Sequence, residues 1–207
     1  MLRVLIADDH TLIRAGLKQL LQDYNNTYVI EATNVNDLMK KLSQNQVDVI
    51  ILDISMPGKS GLEALKDLKT QYPQIPVIML SVYTEEQYAI RAFKSGASAY
   101  LTKDSAPDLL IEALKTVLSG RKYVLPGQAD SLINSIQSQE ENLVDSLSDR
   151  EFQILQMLAN GLSVTEIAEK ICLSVKTVST YKSRLSKKLR LNNTAELVKF
   201  AIENNIR

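Results

Sequence analysis

The residues best equipped for chemistry in this chain are acidic, and they stand where polar sequence interrupts apolar runs. Asp8-Asp9 follow Arg3-Val4-Leu5-Ile6-Ala7, and Asp53 follows Asp48-Val49-Ile50-Ile51-Leu52. Short runs rich in β-branched residues read as buried parallel strands. Each acid therefore lies at the carboxyl end of a strand, the edge at which open α/β sheets bind ligands. Three carboxylates gathered there repel one another unless a cation joins them or some stay protonated. A hard divalent ion such as Mg²⁺ resolves that conflict. Two further strand ends add a hydroxyl and a cation. Ile75-Pro76-Val77-Ile78-Met79-Leu80 stops at Ser81, and Ala97-Ser98-Ala99-Tyr100-Leu101 runs into Thr102-Lys103. In this constellation Asp53 is an oxygen nucleophile toward phosphorus, able to form an acyl phosphate. Asp8 and Asp9 hold the metal, directly or through water, and a backbone carbonyl near Ser55 supplies another oxygen. Ser81 offers a donor to a phosphoryl oxygen, and Lys103 a compact positive charge.

The elements that position these residues alternate. Strands are expected at 3–7, 28–32, 48–52, 76–80 and 98–101, and helices at 11–23, 35–44, 60–71, 84–95 and 105–119. Strands separated by helices of this length make βαβ units and a parallel sheet. The fold class is α/β, a five-stranded doubly wound sheet with helices on both faces. After Gly120 the pattern fades. Pro126, Gly127 and the polar run 134–141 read as a linker over 121–145, with a short helix near 129–138. No strand signal returns. Four helices are expected at 149–159, 163–170, 174–189 and 193–204, a small all-α domain. Ser148 with Glu151, and Ser163 with Glu166, have capping-box spacing. Gly161 suits the left-handed stop after the first of these helices. The division is thus 1–120, linker 121–145, and 146–207.

Composition narrows the possible functions. The 207 residues suit two small domains, and 45% apolar content is ordinary for a globular protein. No apolar stretch approaches the roughly 20 residues that span a bilayer, and the N-terminus enters a strand without a signal-peptide pattern. One cysteine excludes an internal disulfide, and with one histidine it argues against zinc. A cytoplasmic protein with no membrane partner is expected. Net charge is zero but unevenly spread. Residues 1–125 carry 14 Lys/Arg and 14 Asp/Glu, residues 126–145 carry 4 acids alone, and residues 146–207 carry 10 bases against 6 acids. A basic terminal module behind a neutral domain calls for a polyanionic partner.

Residues 163–170, a turn at 171–173 and residues 174–189 have helix-turn-helix spacing. Val178, Tyr181, Leu185 and Leu189 recur every three or four residues and form an inner face. Ser179, Thr180, Lys182, Ser183 and Arg184 then fall outward or on its flanks. Short hydroxyls suit base edges, and long cations suit phosphates. Lys187, Lys188 and Arg190 extend the basic end.

The first part resembles the receiver domain of bacterial two-component response regulators. The matching pieces are Val4–Asp9 with His10, Leu52-Asp53-Ile54-Ser55-Met56-Pro57 with Gly61, Ser81, and Gly96–Lys103. The last part resembles the LuxR-type DNA-binding module, through Leu147–Glu151, Leu158–Ser163, Glu166-Ile167-Ala168, Leu173–Val178 and Lys188-Leu189. Together they are similar to regulators of the NarL/FixJ class. The resemblance implies that a histidine kinase phosphorylates Asp53 with Mg²⁺ present. It implies that Ser81 and Tyr100 form a switch, although Tyr100 also suits simple packing. It implies control of transcription through a double-stranded DNA operator. Asp53, Ser81 and Lys103 carry the phosphoryl chemistry, and Asp8, Asp9, Asp53 and the Ser55 carbonyl the metal. Ser179, Thr180 and Ser183 match base-reading positions. Lys176, Thr177, Lys182, Arg184 and Lys187 complete the DNA face, with Lys176, Lys182 and Arg184 the better phosphate candidates. Phosphorylation is expected to relieve inhibition of the terminal helices or to promote a homodimer that reads two half-sites. Tyr181 stands where His is frequent and Thr165 where Lys is frequent, the latter removing one phosphate contact. Ser55 and Tyr83 occupy variable positions that influence phosphoryl lifetime. His10 reads as the start of the first helix rather than a ligand.

Two rival readings remain. An aspartyl-phosphate phosphatase would carry a second Asp two residues after its nucleophile, where this chain has Ser55. A constitutive DNA binder with a silent receiver would not need the complete acid–hydroxyl–lysine set. The expected protein is therefore a switch and not an enzyme.

Overall fold

The computed structural model describes residues 1–207 except 23, 25, 83–85, 138–142, 205 and 207. The expectations resting on Tyr83, on the start of helix 84–95 and on the linker's acidic pair Glu140-Glu141 lie outside the described residues. The chain separates into two compact units, residues 1–131 and 132–207.

In the first unit the strands are β1 Leu2–Ala7, β2 Thr27–Ala32, β3 Val49–Asp53, β4 Val77–Ser81 and β5 Ala99–Thr102. They alternate with α1 Thr11–Gln22, α2 Val35–Gln44, α3 Gly61–Gln71, α4 Glu86–Lys94 and α5 Ala106–Leu118. All strand pairs are parallel, in the order β2-β1-β3-β4-β5. The chain leaves β1 toward one edge, returns through β2, and builds the other edge from β3 onward. The reversal lies between β1 and β3, the crevice where doubly wound sheets bind ligands.

Alternation along the strands feeds two cores. Val4, Ile6, Val49, Ile51, Ile78, Leu80, Ala99 and Leu101 pack with Leu17 and Leu21 of α1 and with Leu110, Ala113, Leu114 and Val117 of α5. The intervening Leu5, Ile50, Leu52, Val77 and Met79 are equally buried, as a sheet covered on both faces requires. This explains the near-continuous apolar runs that mark the strands in the sequence.

The α/β unit does not end at Gly120. Tyr123 bridges to Ala99 of β5, and its N–H donates to the Ser98 carbonyl at 2.9 Å. The helix expected near 129–138 starts earlier, as α6 Pro126–Gln137. Proline in its first turn suits an N-terminus, where its missing N–H costs nothing. Gln128 donates from Nε2 to the Tyr100 carbonyl at 3.1 Å. The front of the expected linker is therefore folded onto the last strand.

In the second unit a 3₁₀ turn, Leu143–Ser146, precedes α7 Asp149–Ala159, α8 Val164–Lys170, α9 Val175–Leu189 and α10 Thr194–Glu203. Both expected capping boxes form, Ser148 with Glu151 and Ser163 with Glu166. Gly161 takes φ 83 after α7, the left-handed conformation that glycine adopts without penalty. Phe152, Ile154, Leu155, Ile167, Val178, Leu185, Leu197 and Ala201 make the core.

Candidate functional site

The strand ends assemble the acids as their spacing predicts. Asp53 is the last residue of β3, and Asp8 follows β1, its hydrogen-bonded neighbour. Both side chains are fully buried. The ligand atoms of Asp8, Asp9, His10 and Asp53 all lie within 4.8 Å of one another. Asp53 caps no helix. Ser60 caps α3 in a box with Glu63, which leaves the Asp53 carboxylate for the site.

Lys103, one residue past β5, reaches back between the acids. Its Nζ lies 2.8 Å from Asp53 Oδ2 and 2.7 Å from Asp8 Oδ2. The Ser55 N–H donates to Asp53 Oδ1 at 3.2 Å, and the His10 N–H to Asp8 Oδ1 at 2.8 Å. Arg14 of α1 donates from Nη1 to the Asp8 carbonyl at 2.8 Å and from Nε to Glu31 at 3.3 Å. These bonds hold the end of β1 without using the carboxylate. Gly61 is required by proximity: a Cβ there would stand 2.0 Å from the Asp53 carbonyl oxygen.

The electrostatics follow from burial. Burial pushes the Asp53 carboxyl above the ordinary carboxylate range, and Asp8 adds to the effect, while Lys103 and the Ser55 N–H oppose it. Burial alone would lower the Lys103 ammonium, but Asp53 and Asp8 outweigh it and hold it above its ordinary range. One cation therefore faces a set of acids that it only partly neutralises. Asp8 Oδ2, Asp9 Oδ1 and Ser55 Oγ are buried atoms that make no aligned hydrogen bond. Crowded hard oxygens of this kind suit a divalent cation.

Ser81 ends β4 and is fully buried. It pairs with Thr102, and Met79 pairs with Tyr100, so Ser81 and Tyr100 share one face of the sheet, one step apart. The Tyr100 ring is 1% exposed, turned inward. That position fits both the switch and the packing roles.

In the second unit α9 presents an outward row. Lys176, Ser179, Thr180, Ser183, Arg184 and Lys187 are exposed, and Val178, Leu185 and Leu189 are buried beneath. Three expectations need adjusting. Thr177 is half-buried and belongs to the cap: its N–H donates to Ser174 Oγ at 3.0 Å, and its hydroxyl is 2.7 Å from the same oxygen. Tyr181 is half-buried, not part of the sealed inner face, and lies 6.0 Å from the Arg184 guanidinium. Lys182 lies half-buried on the flank, as expected. Lys188, expected to extend the basic end, is held by contacts within the unit. Its Nζ contacts Glu151 at 2.6 Å and the Ser146 carbonyl at 3.0 Å, locking α9 to the capping box of α7. Burial works against the charged form of Glu151, but Lys188 and Ser148 hold its carboxyl below the ordinary range.

The His10 ring reaches the acids as well. Its Nδ1 lies 2.9 Å from Asp9 Oδ1 and 3.1 Å from Asp8 Oδ1. It does stand just before α1, as expected. Only its adjacency to two ligand-type acids could have drawn attention to the ring.

An acidic pocket at the switch point of a five-stranded parallel sheet, followed by a helix-turn-helix unit, defines a signal-receiving domain joined to a nucleic-acid reader. Residues 4–115 match the response regulator receiver domain, and residues 145–201 the luxR family of bacterial regulatory proteins. Response regulator UvrY of Escherichia coli (strain K12) is 37% identical over 209 residues, covering 100% of this chain and 96% of that protein. Response regulator GacA of Pseudomonas aeruginosa is 37% identical over 205 residues, covering 98% and 96%. Among solved structures, RcsB from Salmonella enterica serovar Typhimurium, bound to promoter rprA in the presence of phosphomimetic BeF₃⁻, superposes with a TM-score of 0.64 at 27% identity. It covers 97% of this chain and 98% of that one. This chain belongs to the two-component response regulators of the NarL/FixJ class.

Proposed function

We propose that Asp53 accepts a phosphoryl group from a partner histidine kinase, and that the resulting acyl phosphate controls how α9 engages double-stranded DNA. The observation that carries this reading is the position of Asp53: fully buried at a strand end, with Asp8 beside it and Lys103 Nζ 2.8 Å away. Phosphorylation adds negative charge and three acceptor oxygens there. In this reading Lys103 pairs with one of those oxygens and Ser81 donates to another. Mg²⁺ held by Asp8, Asp9, Asp53 and the Ser55 carbonyl would neutralise phosphoryl oxygens as charge develops. The buried oxygens without aligned hydrogen bonds support that ion.

The added charge biases a two-state surface around Ser81, Tyr100 and Lys103. We keep the division 1–120, 121–145 and 146–207 with one change, that the first part of the linker packs with the receiver unit. Two RcsB dimers are bound to two parallel DNAs in one solved structure, which supports a homodimer of this chain, formed on phosphorylation, as the DNA-binding species. Ser179, Thr180 and Ser183 read base edges, while Lys176, Lys182, Arg184 and Lys187 grip phosphates. The protein works in the cytoplasm, where a kinase and DNA are both in reach. No helix among the described residues is long and apolar enough to cross a membrane. Its product is a conformation and not a released molecule, so it is not an enzyme. Ser55, where a phosphatase would hold a second acid, favours this reading.

The test is treatment with acetyl phosphate and Mg²⁺. The wild type is expected to gain the mass of one phosphoryl group and to bind a selected operator more tightly. Asp53→Asn is expected to do neither. An unchanged mass, or equal operator affinity in both states, overturns the switch.

A further inference from the structure

We infer that His10 is a metal ligand that admits borderline transition ions, of the Co²⁺, Ni²⁺ and Zn²⁺ class, to the receiver site. The inference rests on the reading of Asp8, Asp9 and Asp53 as a cation site and goes beyond it in donor set and choice of metal. Its ground is the placement of one ring nitrogen. His10 Nδ1 lies 2.9 Å from Asp9 Oδ1 and 3.1 Å from Asp8 Oδ1, and within 4.8 Å of the Asp53 ligand atom as well. Asp9 Oδ1 is buried without an aligned hydrogen bond.

A cation bound by these carboxylates cannot share its neighbourhood with an N–H that points at it. The ring must swing away, or it must turn its lone pair to the ion. The backbone decides between these. The His10 N–H is tied to Asp8 Oδ1 at 2.8 Å, and its carbonyl accepts the first turn of α1 from Arg14 at 3.1 Å. The residue is thus fixed beside the acids at both backbone groups. Its side chain is 58% exposed, so the proton can reside on the outer nitrogen in contact with water. Nδ1 would then offer its lone pair to the ion in place of a water ligand. No other covalent change is required.

The consequence is selectivity. Carboxylate, carbonyl and water ligands suit Mg²⁺, whereas an imidazole nitrogen adds affinity for Zn²⁺, Ni²⁺ and similar ions. A ring that merely oriented Asp8 and Asp9 from outside would instead support every cation alike. These roles separate experimentally.

The experiment titrates the full chain with Mg²⁺ alone and with Co²⁺ alone by calorimetry in one common buffer. Wild type, His10→Ala and His10→Gln are compared. Both variants are expected to lose on the order of tenfold or more in Co²⁺ affinity. Their Mg²⁺ affinity is expected to stay within about twofold, a shift of about 0.4 kcal/mol. His10→Gln keeps a side chain that can hydrogen-bond to the carboxylates, so a loss there reports the missing nitrogen ligand. Unchanged Co²⁺ affinity overturns the inference while leaving the Mg²⁺ site intact. An equal loss for both ions also overturns it, by showing an orienting role. Failure of Mg²⁺ to bind the wild type overturns the metal site itself, and this inference with it.

Discussion

Lys103→Met isolates the charge balance of the receiver site, because it keeps most of the aliphatic stem and removes the ammonium. Asp8 and Asp53 offer oxygens within 4.8 Å of each other. At an effective dielectric of about 20, two unit charges at that separation repel by about 3 kcal/mol. The lysine contacts at 2.7 and 2.8 Å oppose that repulsion, each by about 6 kcal/mol on the same scale. Several kcal/mol must be set against them for dehydrating the ion. Opening a buried pair of this kind costs about 3–5 kcal/mol, the loss expected for Lys103→Met in EDTA. Mg²⁺ should recover part of it. With its competitor gone, the acidic pair is expected to bind Mg²⁺ about tenfold more tightly, worth about 1.4 kcal/mol. The stability gap between variant and wild type should then narrow by that amount at saturating Mg²⁺. Urea unfolding of the full chain in EDTA and in Mg²⁺, with calorimetric titration of the ion, measures both quantities. A gap of the same size in the two conditions, or weaker Mg²⁺ binding by the variant, refutes the reasoning.

Asp53→Asn should stabilise the metal-free protein at neutral pH, because burial and the neighbouring Asp8 disfavour the charged carboxyl. The folded carboxyl titrates above its ordinary value of 3.8, so the wild type gains stability as pH falls through the folded value. The variant's advantage should disappear near 3.8, which a pH series of urea unfolding checks. Gly61→Ala should cost about 2–3 kcal/mol and slow labelling by acetyl phosphate, since the Asp53 carbonyl must yield to the new methyl; labelling at the wild-type rate contradicts this. Lys182→Ala and Arg184→Ala should each lower the slope of log affinity against log salt by about 1 in operator binding. Lys188→Ala should leave that slope unchanged and instead destabilise the terminal unit by about 1–2 kcal/mol, as thermal unfolding will show.

Much of this architecture is written locally. The strands fall within one residue of their expected bounds because each β-branched run ends on a polar residue. The capping boxes at Ser148 and Ser163 were legible because their partners lie three residues on. Asp8, Asp53, Ser81 and Lys103 converge because a parallel sheet places all its carboxyl ends at one edge. What escaped depends on longer range. Lys188 looked like part of a basic cluster, yet its partner Glu151 lies 37 positions away and no pattern links them. Tyr181 fitted the helical period, but a half-buried tyrosine and a sealed leucine occupy the same place in a periodicity count. The early start of α6 was hidden because Pro126-Gly127 reads as a turn, and only the docking of Tyr123 and Gln128 on β5 reveals a helix entry.

That docking has a mechanical reading. Gln128 does not grip the Tyr100 ring. It grips the Tyr100 backbone, at 3.1 Å, while Tyr123 is stitched to β5 one step earlier. Ring rotation alone moves neither anchor, but a shift of the strand itself moves both. The first turn of α6 is thus tied to the backbone of β5. A substitution that freezes the aromatic ring could leave this gearing untouched, whereas losing the Gln128 amide would uncouple the helix entry while the phosphoryl chemistry ran as before.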